Sequence, residues 1–406
     1  MNALSPLLAA GTPVDWWFVF KFNGAAFPCV ESQEPDPGIF GGTPMDYGGG
    51  LSLNYACASS ASASLQMGTG YLGTSLNDPL GATFNQIYQG SCNYVLWNDQ
   101  FNNDPMPNED SPWGHSKGVL AWDNTGAGFV IQVSTPSWPA SGNAKYPRKT
   151  DGNTLGCVHD DDSMVSQHFF ALSLTAADVA TILAGLVNAS VVTKPGDLQI
   201  VNAGGPANLQ ALAKNLGALS PGKTLMTQVL SSGVTFISKP SLLHVPPWQM
   251  VSAQLGSLPI RVANWWADPM IYSTTAATPV KCWEPTLGQP GEVQIATSGT
   301  WQGKSIGLQG GEGTTFNHAK VGVSLLTARP LCIFGDMNQQ GTLDGDGKGL
   351  DASCASSQNG RGGTFYVLQN QALFQSLTGL LSGTSAPVQP VAAGTEEHRF
   401  TPAPET

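Results

Sequence analysis

Two short segments, half a chain apart, restrict the architecture more than anything else in the sequence. His115-Ser116-Lys117-Gly118-Val119-Leu120 and His318-Ala319-Lys320-Val321-Gly322-Val323 each set a His-x-Lys triplet at the head of an apolar run. They lie 203 residues apart (318 − 115) in a chain of 406. That length supports a sizeable core and about two domains or two related halves. The spacing suggests the latter, with each half contributing a strand headed by the same triplet. Side chains i and i+2 of a strand share a face. His115 should therefore project with Lys117, and His318 with Lys320.

The rest of the chain reads as β structure with long loops. It holds 48 Gly and 29 Pro, and only 11% of its residues are charged. Such a composition needs many turns and tight backbone approaches. Trp16 to Phe22 is dense in aromatics and reads as a buried strand. Residues 37–90 read as loops and short strands, and Tyr94 to Trp97 as another strand. Gly118 to Trp122 and Phe129 to Val133 flank Asn124-Thr125-Gly126-Ala127-Gly128, a hairpin signal. Thr175 and Asp178 form a capping-box variant ahead of Val179, Ile182, Leu183 and Leu186, which predicts a helix to about Val187. A second helix is expected at Ala207 to Leu216 and a third at Gln369 to Leu381. Val321 to Leu326 and Leu331 to Phe334 read as strands. Residues 384–406, rich in Pro, Ala, Thr and Glu, read as a disordered tail.

Seven cysteines leave at least one thiol unpaired within a monomer, and none forms a C-x-x-C pair. Cys332 and Cys354 flank one Gly/Asp-rich loop and are the pair expected to bridge. No run of 18 apolar residues predicts a membrane span. Met1 to Pro13 lacks a charged n-region and a long apolar stretch, so it does not read as a signal peptide, and export stays open. The formal charge is −11. A nucleic-acid partner usually leaves a basic footprint, which is missing. The objection weakens in acid, where carboxylates protonate and histidines gain charge.

If the two triplets meet at the centre, two imidazoles and two ammoniums share one pocket. That set suits a phosphodiester. The lysines hold the non-bridging oxygens, one imidazole attacks phosphorus and the other protonates the leaving oxygen, with no metal or other cofactor. A lone His-x-Lys is a common chance match. Two copies at strand starts carry more weight, and their flanks carry more still.

Gly114-His115-Ser116-Lys117-Gly118-Val119-Leu120, with Asp123 following, resembles the first catalytic motif of the deoxyribonuclease II family. Val14-Asp15-Trp16-Trp17 resembles that family's mature N-terminal strand. Asn98-Asp99-Gln100 and Ser134-Thr135-Pro136-Ser137-Trp138-Pro139 resemble its segments before the first motif and after the hairpin. Asn317-His318-Ala319-Lys320, Val323-Ser324, Gly335-Asp336-Met337-Asn338 and Arg361-Gly362-Gly363-Thr364 resemble its C-terminal signature, all in the family's order from residue 14 to about 380. The chain would be a bacterial-type or otherwise divergent member.

The resemblance implies an α/β (α+β) fold similar to phospholipase D. Two pseudo-symmetric mixed halves, at 14–170 and 171–383, would each carry a sheet flanked by helices. It implies endonucleolytic cleavage of double-stranded DNA without a metal, fastest in acid, through a phosphohistidine, leaving 3′-phosphate and 5′-hydroxyl ends. His115, Lys117, His318 and Lys320 would be catalytic. Asp123, Asn98, Asp99, Ser134 and Asn338 would support them, Asp123 having a hairpin-turn role as its alternative. Lys145, Arg148 and Lys149, the densest basic cluster, would meet DNA outside the pocket or simply form a solvated loop. Val133 and Asn317 depart from the family's usual His and acidic residue. His159 with Asp160, Asp161 and Asp162 reads as a solvated turn, and His168 and His244 as structural. One chain supplies both motifs, so the chemistry needs no dimer, although a homodimer would widen the grip on a duplex. No membrane partner is expected. Two other readings stay open: a phospholipase-D-like phosphodiesterase on a non-DNA substrate, and a noncatalytic Gly-rich surface-binding module.

Overall fold

The structure, a computed structural model, describes residues 4–29, 40, 50–101, 109–148, 153, 155, 162–345 and 353–389. Its first sheet contains β1 (Trp16–Lys21), β2 (Tyr55–Ser59), β3 (Gln66–Met67), β4 (Asn93–Asn98), β5 (Lys117–Trp122), β6 (Gly128–Val133), β7 (Gln167–Leu174) and β8 (Val201–Asn202). The order is β3-β2-β1-β7-β6-β5-β4-β8, antiparallel throughout. Strands β1, β4, β5 and β6 are buried at every position, as expected for apolar runs covered on both faces.

The second half supplies β9 (Met226–Val229), β10 (Thr235–Lys239), β11 (Ile260–Ala263) and β12 (Val293–Ile295). A separate two-stranded ribbon follows, β13 (Ser298–Trp301) with β14 (Lys304–Gly307), and then β15 (Val321–Ser324), β16 (Leu331–Gly335) and β17 (Gly363–Gln369). The seven-stranded order is β12-β11-β15-β16-β17-β10-β9, with β11 and β12 the parallel pair. Among the described residues five α-helices accompany the sheets: α1 (Pro79–Tyr88), α2 (Ala176–Asn188), α3 (Ala207–Ala213), α4 (Pro247–Gln254) and α5 (Gln371–Leu380). The fold is mixed α/β of the α+β kind, dominated by antiparallel sheet.

The sheets meet through aromatic rings. Phe18 of β1 stacks on Phe334 of β16 at 4.7 Å, and Phe170 of β7 packs against the same ring at 4.4 Å. Burying such rings at an interface contributes a large share of packing energy. This contact joins β1 and β7 of the first sheet to β16 of the second. Among the described residues, no helix is long and apolar enough to cross a membrane.

Several expectations need correction. The helix α1 falls inside the region read as loops and short strands; Asp78 caps it, accepting from Gly81 N, and Pro79 opens it. The first sheet runs on past residue 170, through β7 and as late as Asn202. Strand β17 occupies the stretch before α5 that carried no strand expectation. The start of the expected tail is ordered: Ser385 bridges to Ala296, Val388 bridges to Ser273, and Ala386 is buried. Residues 390–406 lie outside the described residues. The disulfide joins Cys282 to Cys354, whereas Cys332 is a free thiol. Cys332 lies on β16 and packs into the core, so its side chain faces away from the loop it precedes. The predicted hairpin β5–β6, the capped helix α2, α3, α5, β15 and β16 lie where the sequence puts them.

Candidate active site

The first motif is held by three elements. His115 N donates to the Gly362 carbonyl just ahead of β17 at 2.8 Å. Its Nδ1 lies 2.8 Å from the backbone carbonyl oxygen of Asp336. A carbonyl only accepts, so Nδ1 carries the proton and the neutral ring presents an unprotonated Nε2. Burial, joined by the charges of Lys117, Arg361 and Lys320, pushes the imidazole well below its ordinary pKa, against an opposing pull from Asp99.

Lys117 opens β5 and is only 2% exposed. Its Nζ lies 2.7 Å from Asp99 Oδ1, and Arg361 Nη2 lies 2.9 Å from Asp99 Oδ2. Burial alone would raise the Asp99 carboxyl, but Lys117, His115 and Arg361 outweigh it and hold it well below the usual range. Asp336, which follows β16, has a different role. Its Oδ2 accepts from Ser116 Oγ at 2.6 Å, Thr364 Oγ1 at 2.6 Å and Thr364 N at 2.9 Å, while Oδ1 accepts from Gln132 Nε2 at 3.1 Å. Burial still pushes this carboxyl up to about 6. The network locks the peptide whose carbonyl orients His115.

The second motif has the same backbone logic and different neighbours. His318 N donates to the Ser166 carbonyl just ahead of β7 at 2.8 Å. Its Nδ1 lies 3.3 Å from Asp162 Oδ2, and its Nε2 lies 3.1 Å from the Gly311 carbonyl oxygen. The ring packs against Trp265 with centroids 4.0 Å apart. Burial and then the Lys320 charge push this imidazole well below its ordinary value. Lys320 N donates to His168 Nδ1 at 3.1 Å, so the structural histidine supports the second motif directly. Burial, with some help from Lys320, pushes His168 down to about 3, which keeps it the neutral acceptor this bond needs.

Lys320 differs from Lys117. It is 3% exposed, and among the described residues its ammonium has no hydrogen bond or ion pair. Burial and the nearby Lys117 charge push it down to about 7.

His115, His318 and Lys320 line one cleft of about 690 Å³, together with Trp265, Ser134 and Asn338. Lys117 sits behind this surface, close enough for its charge to act on both His318 and Lys320. The other expected supporting residues sort by position. Asn98 holds the loop after β6, donating to the carbonyls of Thr135 and Trp138. Ser134 Oγ accepts from His168 N at 2.9 Å. Asn338 Nδ2 donates to Gln340 Oε1, and among the described residues its buried Oδ1 has no partner. Asp123 stands at the far end of β5 and accepts from Thr125 N and Oγ1, which makes it a turn residue.

The basic cluster divides as well. Lys145 is exposed, Arg148 is buried and donates to the Ser137 carbonyl at 3.1 Å, and Lys149 lies outside the described residues. Arg148 is thus held inward by the loop after β6. Of the His159 to Asp162 turn only Asp162 is described, and it approaches His318. Asp162, Trp265, Arg361 and Asp336 were not singled out as site residues. Asp336 and Arg361 sit inside quoted motif strings, which was the available signal; Asp162 and Trp265 have none in sequence.

With this geometry in hand, comparisons with known proteins agree on a family. A sequence model described as Deoxyribonuclease II matches residues 5–385, through both His-x-Lys triplets. Cell-death-related nuclease 7 of Caenorhabditis elegans is 25% identical over 315 residues, covering 75% of this chain and 73% of the nematode protein. Deoxyribonuclease-2-alpha of Rattus norvegicus is 31% identical over 165 residues, 39% of this chain and 42% of the rat protein. The Sus scrofa protein of the same name is 31% identical over 184 residues, 39% of this chain and 44% of its own length. The matches to the two mammalian proteins thus span less than half of each. A family match running through the whole cleft makes the assignment plain: the chain belongs to the deoxyribonuclease II family of endodeoxyribonuclease hydrolases.

Proposed function

We propose that the cleft cleaves double-stranded DNA in acid without a metal, through a phosphohistidine, leaving 3′-phosphate and 5′-hydroxyl ends. The carrying observation is that His115, His318 and Lys320 line one cleft despite their separation in sequence. His115, with Nδ1–H on a carbonyl, is the nucleophile: Nε2 attacks phosphorus and the P–O5′ bond breaks. His318 has a carboxylate at Nδ1, which favours its charged form, so it donates its Nε2 proton to the leaving 5′ oxygen. That oxygen takes the place of the Gly311 carbonyl. Neutral His318 then removes a proton from water, which attacks the phosphohistidine, releases the 3′-phosphate and restores His115. Lys320, with Lys117 behind it, stabilises the charge on the non-bridging oxygens.

Acid favours the reaction twice. Burial and the charges of Lys320, Lys117 and Lys21 disfavour the His318 imidazolium until a phosphate enters, and the chain charge of −11 repels DNA until carboxylates protonate. No step in this scheme calls on a metal: His115, His318 and Lys320, which line the cleft, bind the phosphate and move the protons.

The same reading relates the halves as a phospholipase-D-like pair, with residues 14–170 and 171–383 as their approximate extents. Its support is a correspondence of bonds. Each motif histidine donates its amide to the carbonyl preceding a strand of the other half, Ser166 or Gly362. Ser134 and His168 exchange bonds as Asp336 and Thr364 do.

The test is plasmid nicking across pH with a chelator present, followed by acid quench during turnover. We expect nicking below neutral pH and DNA-derived phosphate linked to His115. Cleavage abolished by chelator and restored by a divalent ion would overturn the reading. Substrate arms with lipid and simple phosphodiesters separate the non-DNA alternative.

A further inference from the structure

Two lysines outside the motifs repeat one arrangement. Lys21 closes β1 and Lys239 closes β10, and their side chains are 1% and 0% exposed. Lys239 Nζ donates to the carbonyls of Arg361 at 2.7 Å and Asn359 at 2.9 Å. Lys21 Nζ donates to those of Val165 at 2.6 Å, Ser163 at 2.7 Å and Ser52 at 2.9 Å. The gripped positions correspond. Ser163 and Val165 precede Gln167, where β7 begins, as Asn359 and Arg361 precede Gly363, where β17 begins. In each loop the next carbonyl along, Ser166 or Gly362, is the one that accepts the amide of a motif histidine.

A buried ammonium is costly to desolvate, and carbonyl dipoles offset that only in part. Among the described residues Lys239 has no ion pair. Packing alone would be served by a methionine. The loop at Gly362 is also close-fitted: a Cβ there would stand 2.0 Å from the Ala189 carbonyl oxygen, so the gripped backbone cannot shift that way.

We propose that Lys21 and Lys239 are positioning residues, each clamping the backbone that seats the histidine of the opposite half, Lys21 for His318 and Lys239 for His115. The inference rests on the two-histidine reading above. It makes a crossed prediction that a merely structural role does not. Local loosening should disturb one imidazole and spare the other.

The experiment uses full-length chain labelled with 15N-histidine, with ring signals assigned by His115→Gln and His318→Gln and recorded at one fixed acid pH. Lys239→Met should move the His115 ring signals and leave those of His318 in place. Lys21→Met should do the reverse. In both, kcat should fall by about 100-fold with KM within about twofold, because a displaced reacting group costs rate while Lys320 still binds phosphate. Circular dichroism checks folding, and the Lys→Gln variants, which keep an amide donor, replace any Met variant that does not fold. Both rings moving together, neither moving, or failure of both substitutions to fold would overturn the proposal. If the rings move as expected while His115→Ala and His318→Ala keep turnover, the clamp stands and the two-histidine reading falls.

Discussion

Lys117 and Lys320 stand at equivalent points, two residues after a motif histidine at the head of a central strand, but their surroundings differ. Lys117 is bonded to Asp99, which it shares with Arg361. Among the described residues Lys320 meets no carboxylate directly, and its charge is opposed by burial and by Lys117 itself. The histidines differ in parallel: a neutral carbonyl holds His115 at Nδ1, while a carboxylate approaches His318 there. A triplet of residues fixes which side chains share a face. Charge and role come from the neighbours, which here arrive from 162, 336 and 361, far away in sequence.

The largest test of that contrast concerns the histidines. His115→Ala and His318→Ala should each lose turnover by about 10⁴-fold or more, and the double variant should be little worse, because the pair acts as a unit. Single-turnover cleavage of plasmid at acid pH measures this. If the two losses multiplied in the double variant, the rings would be acting independently and the assignment of nucleophile and acid would fail.

A smaller effect is expected at Asp162. Its carboxylate is about a third exposed, 34%, so solvent screens its pull on His318. Asp162→Asn should lower kcat by about tenfold and shift the alkaline limb of the pH profile toward acid, since His318 would then hold its proton less tightly. An unchanged alkaline limb would remove Asp162 from the mechanism.

Much of the fold was legible because its signals are local. The hairpin β5–β6 announces itself through Gly126 and Gly128 between apolar runs, and α2 through the Thr175–Asp178 box. The tail from Ser385 was misread because composition says nothing of a bridge to Ala296. The disulfide was misread for a related reason: sequence places Cys332 next to the right loop, but the alternation of β16 turns its thiol into the core. In the site, the i, i+2 rule brought each lysine beside its histidine, yet it could not say that Lys117 would sit behind the cleft surface. That depends on Asp99, 18 residues away (117 − 99), which holds Lys117 and is shared with Arg361, 244 residues away (361 − 117).

The smallest effect is on stability, and here the two lysines should give opposite signs. Lys117→Met strands part of the buried Asp99 charge, leaving Arg361 alone to balance it. Removing one partner of a buried ion pair is destabilising, here by roughly 1–3 kcal/mol because the second partner remains. Lys320 works the other way. Its folded pKa of about 7 lies below the ordinary 10.5, so the unfolded chain binds more protons between those values, and stability rises with pH across that window. Below about pH 7 both states carry the proton and the fold bears the full cost of the buried charge. Lys320→Met removes that cost and loses some attraction to Asp99, Asp336 and Asp162, for a net gain of roughly 1–3 kcal/mol in acid. The melting temperature should rise by a few degrees over wild type at pH 5. The gain should shrink as pH climbs from 7 toward 10.5, because the wild-type lysine then sheds its proton on folding. Both variants should cleave DNA poorly, so stability and activity part company only at Lys320. Scanning calorimetry of the two Met variants at acid and alkaline pH reads the signs. A loss of stability for Lys320→Met in acid would mean that this ammonium has a partner after all, and the contrast between the motifs would collapse.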